Sequence, residues 1–338
     1  EGPPGAAGRA AGAPTAGRRT GAGSLAQHLR EALRRASRVA GAGPSGSRTA
    51  HWAVVLQVPA AFESLAKVAD RVAAADLPEA VVEGLAAVCL HPLRKKPAGV
   101  RPVGAGEALR RVVGRALLSA EKGPLAEGVG RHQLGAGLKG GGEKLAHAVR
   151  ATAEARPLDC WVALDLSNAF GTMLRDGALE AAAQVVPGYR AFLQMFLGRD
   201  TRYRFIRSNG EAVWMSAGEG AEQGDVWGPI LYSLALAPCV DALTEDLRSK
   251  LREAGWAAEM VEEAVGVAAY LDDLVIRVPP VPVAEVVPAA ERALRGMGGR
   301  LNQRKCKAWS PGSPKPEGLP DGFWQEDGLL LFGTPHGE

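Results

Sequence analysis

The sequence lacks the features that mark secreted and membrane proteins. Its four cysteines stand far apart, with no CxxC pair and no Cys/His cluster at zinc-ligand spacing. No apolar run approaches the roughly 18 residues that a membrane helix needs, and the chain opens on charged, glycine-rich residues rather than on an apolar leader. These absences argue against a disulfide scaffold, a zinc site and a membrane partner. They predict reduced thiols in an intracellular protein, either nuclear or cytoplasmic.

Aromatic residues are also scarce, at 5 %, while 43 Gly and 23 Pro make about a fifth of the 338 residues. Apolar residues at 46 % and charged residues at 23 % are nevertheless ordinary for a globular protein. No Gly-X-Y period is present. The composition therefore excludes a wholly disordered chain and a collagen, and it leaves room for one large domain or two moderate ones.

The small net charge of +3 is unevenly distributed. Residues 1–50 contain eight arginines against two glutamates, four large apolar side chains and no aromatic. We expect this segment to be a disordered basic tail, with a short helix from Ser24 to about Arg38 whose leucines recur every four residues. Such a tail either binds phosphate by displacing counterions or is a solvated linker. A second basic excess lies at 91–115, inside sequence that is typical of a folded domain.

The periodicity after about Trp52 alternates between helices and short strands. Helices are predicted over 60–88, 106–120, 143–155, 176–197, 226–263 and 284–298. A glycine-rich stretch covers 132–142, and strands are predicted at 161–166, at 202–207 and on both sides of a carboxylate pair within 265–278. A hairpin turning at Asp327–Gly328 is predicted within 322–333. No fixed-period repeat is present.

Three carboxylates follow or interrupt apolar strands. Asp165 ends the segment WVALDL, and Asp272 and Asp273 interrupt AAYLDDLVI. Adjacent carboxylates repel each other and are costly to bury without a cation. Oxygen ligands from neighbouring strands suit Mg²⁺, and two such ions can drive in-line displacement at phosphorus. Taken alone, the pair is more typical of a solvated turn than of a metal site.

The surroundings of these carboxylates resemble the ordered motifs of a known family. LDLSNAF resembles motif A of reverse transcriptases, GAEQGDVWGP resembles motif B and YLDD resembles motif C. LNQRKCK and LLLFGTPHG resemble motifs D and E, and LRKKPAGVRPVGAGEALRRVVGRAL resembles the fingers motifs of the non-LTR retrotransposon and group II intron type. The resemblance covers residues 88–337 in the correct order. It implies an RNA-directed DNA polymerase (reverse transcriptase), a nucleotidyltransferase of retroelement origin.

The resemblance also implies a metal centre and a sugar gate. Asp165 and Asp272 would hold two Mg²⁺ ions, or Mn²⁺ in their place, with the Leu166 carbonyl as a further ligand. Asp273 matches a motif C carboxylate that is less central to coordination. Phe170 matches the aromatic ring that excludes a 2′-hydroxyl and so favours dNTPs. Its alternative interpretation is a core aromatic.

Further roles follow for basic residues and for motif B. The residues implied to bind the nucleotide are Lys95 or Lys96, Arg101, Gln223 and Gly224, since cations grip the triphosphate and glycine admits close backbone approach. Lys305 matches a motif D lysine that would protonate pyrophosphate; it is otherwise a surface lysine. The helix face of Arg110, Arg111 and Arg115 is assigned to the template backbone, against a solvated face, and Gly333 to the hairpin that positions the primer.

Some positions depart from the family pattern. Gly171 stands where Asp or Asn is common, and Trp227 stands near the place of a small residue. The chain starts without Met and ends just past motif E, so a longer parent chain is expected to carry the thumb and possibly an endonuclease domain. The body after residue 50 is slightly acidic, which is unusual for a polymerase.

The expected fold is α/β (α+β), a right-hand polymerase with an antiparallel palm sheet backed by helices. Residues 51–160 would form the fingers, and residues 161–338 the palm, with part of 197–220 packing on the fingers. The expected partners are an RNA template, a DNA or RNA primer and dNTPs. Two alternatives are an RNA-dependent RNA polymerase, which YLDD and Phe170 argue against, and a catalytically silent RNA-binding remnant.

Overall fold

The computed structural model describes residues 24–37, 39–95, 99–331 and 334–337. Helices make up nearly half of this part of the chain. They are α1 (Leu25–Arg34), α2 (Thr49–Trp52), α3 (Pro59–Ala73), α4 (Glu79–Ala86), α5 (Ala108–Ala120), α6 (Lys122–Gly128), α7 (Gly141–Ala155), α8 (Ala169–Thr172), α9 (Arg175–Val185), α10 (Arg190–Leu197), α11 (Gly228–Glu253), α12 (Ala258–Ala264) and α13 (Val283–Arg295). None of the helices in these ranges is both long enough and apolar enough to cross a membrane.

The strands form three sheets. They are β1 (Val88–Arg94), β2 (Val100–Gly106), β3 (Cys160–Leu164), β4 (Thr201–Ile206), β5 (Ala212–Ala217), β6 (Gly266–Tyr270), β7 (Asp273–Val278), β8 (Lys307–Trp309), β9 (Gly328–Leu331) and β10 (Thr334–Gly337). One four-stranded sheet has the order β2-β1-β4-β5, another has the order β6-β7-β3-β8, and β9 pairs with β10. All neighbours in the second sheet are antiparallel. This is the antiparallel palm sheet that the sequence predicts.

The palm sheet is covered on both faces, because successive side chains of a strand point to opposite sides. Val162 and Leu164 of β3 belong to the main core, together with residues of α9, α11 and α13. Trp161 of β3 and Val275 of β7 face a smaller core beneath α7 and β9. Two covered faces explain why β3 is a nearly continuous apolar run rather than an alternating one.

The sheet with the order β2-β1-β4-β5, called the fingers sheet below, joins two distant parts of the chain. The first part of the basic segment at 91–115 belongs to the hairpin of β1 and β2, in which Leu93 pairs with Arg101. β4 then pairs parallel with β1, so the hairpin of β4 and β5, which follows the palm strand β3 in the chain, packs beside the fingers hairpin.

The N-terminal region differs from the prediction of a disordered tail over 1–50. Helix α1 packs on α3 and α5, and Leu25, Leu29 and Leu33 are each less than 8 % exposed. The short helix predicted from Ser24 is confirmed as α1. The predicted disorder is wrong for residues 24–37 and 39–50, because the leucines at four-residue spacing find an apolar partner surface on other helices. Residues 1–23 lie outside the described ranges.

The C-terminal hairpin also differs from its predicted position. Strand β9 starts at Gly328 and pairs with β10, in the register Leu331–Thr334. Asp327–Gly328 therefore precedes the hairpin instead of forming its turn. Gly333, predicted to position the primer, lies outside the described residues.

Candidate active site

The ends of β3 and β7 bring the predicted carboxylates together. Leu164 pairs with Leu274 across the two antiparallel strands, so Asp165, the next residue after β3, lies opposite Asp273 at the start of β7. Asp272 precedes it in the tight turn between β6 and β7, in which Tyr270 pairs with Asp273. Two motifs more than 100 residues apart in the sequence thus meet where the neighbouring palm strands β3 and β7 end and begin.

The carboxylates influence each other electrostatically. Burial, reinforced by the charges of Asp272 and Asp165, raises the pKa of Asp273 to about 6. Burial also raises the pKa of Asp272, with a contribution from Asp165 and opposing ones from Lys305 and Arg101. Desolvation and like charge are the two influences that disfavour an ionised carboxyl. The cluster therefore carries more negative charge than its own cations neutralise.

Lys305 is the basic residue in direct contact with this cluster. Its Nζ lies 3.2 and 3.3 Å from the two carboxylate oxygens of Asp165. The turn that carries it is tied to the same residue, because the Asn302 backbone N–H donates to the Asp165 carbonyl at 2.8 Å. The lysine side chain is about half exposed, so its ammonium can move. The structure thus places motif D beside motif A.

The donor set fits magnesium. Within the described ranges, no group of three or more His, Cys, Asp or Glu side chains forms a metal-binding cluster. Mg²⁺ does not need such a cage, since it binds through one or two carboxylates together with substrate phosphates and water. Mutually repelling carboxylates, of which Asp165 and Asp272 are half-buried, with a mobile lysine on one of them, offer that arrangement. A groove of about 330 Å³ leads from Asp165 and Asp273 past Lys307 and Gln325 to Leu330 on β9.

Phe170 lies on α8, immediately after the motif A strand. Its ring is half-buried and packs against that of Tyr232 on α11, with the centroids 4.9 Å apart. The Phe170 carbonyl also accepts a hydrogen bond from the Ala221 N–H at 2.9 Å, which ties motif A to motif B. Burial raises the pKa of the Tyr232 hydroxyl, with contributions from Asp272 and Asp273, so this aromatic pair borders the carboxylates.

The motif B residues lie against the fingers sheet. The Gly104 N–H of β2 donates to the Gln223 carbonyl at 3.0 Å. Gly224 has a φ of +129°, and a Cβ there would lie 2.4 Å from the Gly104 carbonyl oxygen. Glycine is therefore required for contact with β2. The Gln223 side-chain oxygen is buried and has no hydrogen-bond partner among the described residues, which leaves an acceptor for a ligand.

The basic face predicted on α5 is largely buried. Arg110 is 6 % exposed, ion-pairs with Asp225 and with Glu222 (3.6 Å), and lies over the ring of Phe196 at 4.6 Å. Arg111 is 7 % exposed and donates to the Gly41 carbonyl. This burial argues against the prediction that Arg110 and Arg111 contact the template, because carboxylates bind Arg110 and the Gly41 carbonyl accepts from Arg111.

A second buried arginine holds the other side of motif B. Arg175, on α9, donates to the Gly220 carbonyl at 2.7 Å and to the Thr201 hydroxyl at 2.9 Å. The Thr201 hydroxyl in turn donates to Glu222 at 3.0 Å. Burial raises the pKa of Glu222, while Arg110 opposes the rise. The sequence interpretation missed these residues. The only signal was the pair of carboxylates that flank Gln223 and Gly224.

The remaining basic residues are more exposed. Lys95 and Arg101 are exposed on the fingers hairpin, and Arg101 lies close enough to Asp272 to lower its pKa. Arg115 is half-buried, and burial lowers its pKa. Its contact with a template stays a prediction. Lys96 lies outside the described residues.

Palm and fingers sheets of this topology, with paired carboxylates at the edge of the palm, define a reverse-transcriptase-like polymerase fold, and the chain has that fold. The solved structures that it resembles include telomerases. Apo telomerase from Candida tropicalis, truncated from its C-terminal domain, has a TM-score of 0.50 and 10 % identity over 75 % of this chain and 53 % of its own. Telomerase from Candida albicans in complex with the TWJ fragment of telomeric RNA has a TM-score of 0.50 and 10 % identity, over 71 % and 44 %.

A third structure, apo telomerase from Candida tropicalis, gives a TM-score of 0.50 and 9 % identity over 68 % of this chain and 45 % of its own. The chain spans about half the length of the telomerases that it matches. No protein-family model and no curated protein matches it. At such low identity the likeness establishes the fold.

Proposed function

We propose that the chain is an RNA-directed DNA polymerase, which extends a DNA or RNA primer with dNTPs on an RNA template. The observation that carries this proposal is the meeting of Asp165 with Asp272 and Asp273 at the end of adjacent palm strands, in contact with Lys305. Perturbed carboxylates at the mouth of a groove are typical of a catalytic centre.

The carboxylates of Asp165, Asp272 and Asp273 and the Leu166 carbonyl would hold two Mg²⁺ ions, with Mn²⁺ as a substitute. When bound, such ions activate a primer 3′-hydroxyl and neutralise a departing pyrophosphate. This role is supported by the excess negative charge of the cluster.

The other residues would bind and orient the nucleotide. Arg101 and either Lys95 or Lys96 would grip the triphosphate, and the buried oxygen of Gln223 would accept a hydrogen bond from the nucleotide. Lys305 would leave Asp165 and donate a proton to the pyrophosphate oxygen as the P–O bond breaks. Its half-exposed side chain supports that movement.

The non-LTR retrotransposon or group II intron type is the lineage that we propose within reverse transcriptases. The support is the sequence of the fingers segment and the order of six motifs along residues 88–337. The half-buried ring of Phe170 favours dNTPs and therefore DNA as the product.

Primer extension tests the proposal. The protein is supplied with RNA or DNA templates, and with either dNTPs or rNTPs, at fixed Mg²⁺. We expect dNTP incorporation on RNA, which Asp165→Asn or Asp272→Asn should abolish because an amide cannot balance the charge of two metal ions. Asp176→Asn, an exposed change on α9, is the matched control.

Three outcomes would contradict the proposal. Near-normal extension by either active-site variant would refute the site. Incorporation of rNTPs alone would identify an RNA-dependent RNA polymerase. RNA binding without incorporation of any nucleotide would identify a silent RNA-binding remnant.

A further inference from the structure

The glycine-rich segment 132–142 begins along the outer edge of the palm sheet. The Leu134 N–H donates to the Ala269 carbonyl at 2.7 Å, and the Ala269 N–H donates to the His132 carbonyl at 2.8 Å. The His132 ring nitrogen Nδ1 lies 2.7 Å from the Val267 carbonyl oxygen. Residues 132–134 therefore pair with β6 as a short additional strand segment and end beside the turn that carries Asp272.

Gln133 reaches from this segment into the turn. Its side chain is almost completely buried, at 3 % exposure. Its Oε1 accepts hydrogen bonds from the Leu271 N–H at 2.8 Å and the Gly135 N–H at 2.9 Å. Its Nε2 donates to the Leu271 carbonyl at 3.2 Å. One amide side chain thus binds both backbone groups of Leu271, the residue immediately before Asp272.

Leu271 needs such support because of its backbone conformation. Its φ is +56°, in the left-handed region that is costly for a residue with a Cβ and that persists only where the surroundings enforce it. Leu271 lies between Tyr270, the last residue of β6, and Asp272. A change in its conformation would alter the direction in which the chain continues into Asp272 and Asp273, and would therefore displace both carboxylates.

The segment is fitted closely to this turn. A Cβ at Gly135 would lie 2.6 Å from the Leu271 nitrogen and 3.0 Å from the Tyr270 carbonyl carbon. Only glycine allows the backbone to approach so closely. The approach brings the Gly135 N–H to the same oxygen of Gln133 that accepts from Leu271.

We infer that Gln133 is a positioning residue, which holds the Leu271–Asp272 turn and thereby sets Asp272 and Asp273 at their place opposite Asp165. Its consequence for catalysis rests on the proposed function, whereas its hold on the turn does not. Preorganised ligands bind a metal more tightly than ligands that must first be ordered. Loss of Gln133 should therefore weaken metal binding more than it weakens template binding.

Amide hydrogen exchange tests the hold on the turn. In Gln133→Met, which keeps the length and apolar volume of the side chain, we expect the Leu271 amide to exchange about tenfold faster or more, because a buried donor loses its acceptor. Protection in the strand pair β3 and β7 should stay unchanged. Gln184→Met, on the exposed side of α9, is the control and should leave Leu271 protected.

Metal affinity tests the effect on the carboxylates without turnover. Mg²⁺ titration of the same variants by calorimetry should give a dissociation constant several-fold higher for Gln133→Met than for the unmodified chain. In primer extension the half-saturating Mg²⁺ concentration should rise and kcat should fall, while KM for template and primer stays within about twofold. A residue that only supports the fold would not change the Mg²⁺ dependence and kcat while leaving the KM for template and primer unaltered.

Gln133→Glu separates positioning from general packing. A carboxylate still accepts from the Leu271 and Gly135 N–H groups but cannot donate to the Leu271 carbonyl. The protection of the Leu271 amide in Gln133→Glu should therefore lie between that in the unmodified chain and that in Gln133→Met. Gln133→Glu also provides a folded variant for the test if Gln133→Met does not fold.

Unchanged exchange at Leu271 in the folded variant, or faster exchange with unchanged Mg²⁺ affinity, would overturn the inference. An unmodified chain that binds no Mg²⁺ would refute the proposed function and the catalytic consequence alike, and the exchange result would then stand for the turn alone.

Discussion

The side chain of Phe170 would decide whether dNTPs or rNTPs are incorporated, and so whether the product is DNA or RNA. It sits five residues after Asp165, and its ring is supported by Tyr232 at 4.9 Å. A ring fixed in this way can exclude a 2′-hydroxyl by volume. The same contact is also what a core aromatic would make, so the two roles are separated by substrate selection and not by stability.

Phe170→Ala should raise rNTP incorporation relative to dNTP incorporation by at least tenfold, because removal of the ring opens space at C2′. Stability should fall by up to about 3 kcal/mol as the contact with Tyr232 is lost. Single-nucleotide incorporation with competing dNTP and rNTP gives the ratio. Phe205→Ala, half-buried on β4, is the matched control. A constant ratio in Phe170→Ala would make the ring a core residue.

The raised pKa of Asp273 predicts that its ionisation lowers the stability of the metal-free protein at neutral pH. Its pKa is raised to about 6 from an ordinary value of 3.8, mainly by burial. The folded state therefore binds a proton that the unfolded state has lost between these values. The resulting stabilisation is complete below about pH 4 and disappears as the pH rises through about 6.

Asp273→Asn should therefore unfold at a higher urea concentration than the unmodified chain at pH 8 in EDTA. It should also show a smaller loss of stability between pH 4 and pH 6, since one titrating group is removed. Urea unfolding at several pH values measures both effects. Equal midpoints at pH 8 would show that Asp273 is ionised in the fold without cost.

At the scale of the element, helix α5 combines two kinds of basic residue. Arg110 is enclosed by Asp225, Glu222 and the Phe196 ring, whereas Arg115 is half-buried without such an enclosure. The buried ion pairs connect α5 with the loop that carries Gln223. The helix is therefore tied to motif B through Arg110, and the contact of Arg115 with a template stays a prediction.

Arg110→Met should destabilise the fold by about 3–5 kcal/mol, because it leaves two buried carboxylates without their cation. Arg115→Ala should cost about 1 kcal/mol or less and should weaken template binding instead. Chemical denaturation and template titration distinguish the two. A stable Arg110→Met chain with normal dNTP affinity would show that motif B does not depend on this helix.

At the scale of the whole molecule, the N-terminal region divides at about residue 24. Residues 1–23 contain three arginines, whereas α1 beyond them is part of the core. Folding thus depends on α1, whereas binding of phosphate by residues 1–23 stays a prediction. Two truncations separate them.

Removal of residues 1–23 should leave the unfolding midpoint unchanged and reduce the slope of log affinity for single-stranded RNA against log salt by about 2, as three phosphate contacts would give. Removal of residues 1–37 should destabilise the protein by several kcal/mol because three buried leucines are lost. Denaturation and salt titration of both truncations provide the measurements. An unchanged slope in the shorter truncation would make residues 1–23 a linker.

The sequence by itself indicated many of the elements and located the carboxylates, although the helices predicted over 60–88, 176–197 and 226–263 are each divided in two and β5 and β8 were not predicted. β3 was predicted at 161–166 and is found at Cys160–Leu164, and the two strands around Asp272 were predicted on either side of the pair. Apolar runs and a turn between them are local signals, and they do not depend on distant residues. The motif order along 88–337 likewise needed only the chain itself.

Only the tertiary structure decided which polar groups are buried. Arg110 meets Asp225 across 115 residues of sequence, and the Gln133 amide meets Leu271 across 138. A cationic helix face looks the same in the sequence whether it contacts solvent, nucleic acid or a buried carboxylate. Likewise, the leucines of α1 show their spacing but not the partner helix that covers them. The physical reason is that burial is set by the surface that folds against a residue, and that surface comes from elsewhere in the chain.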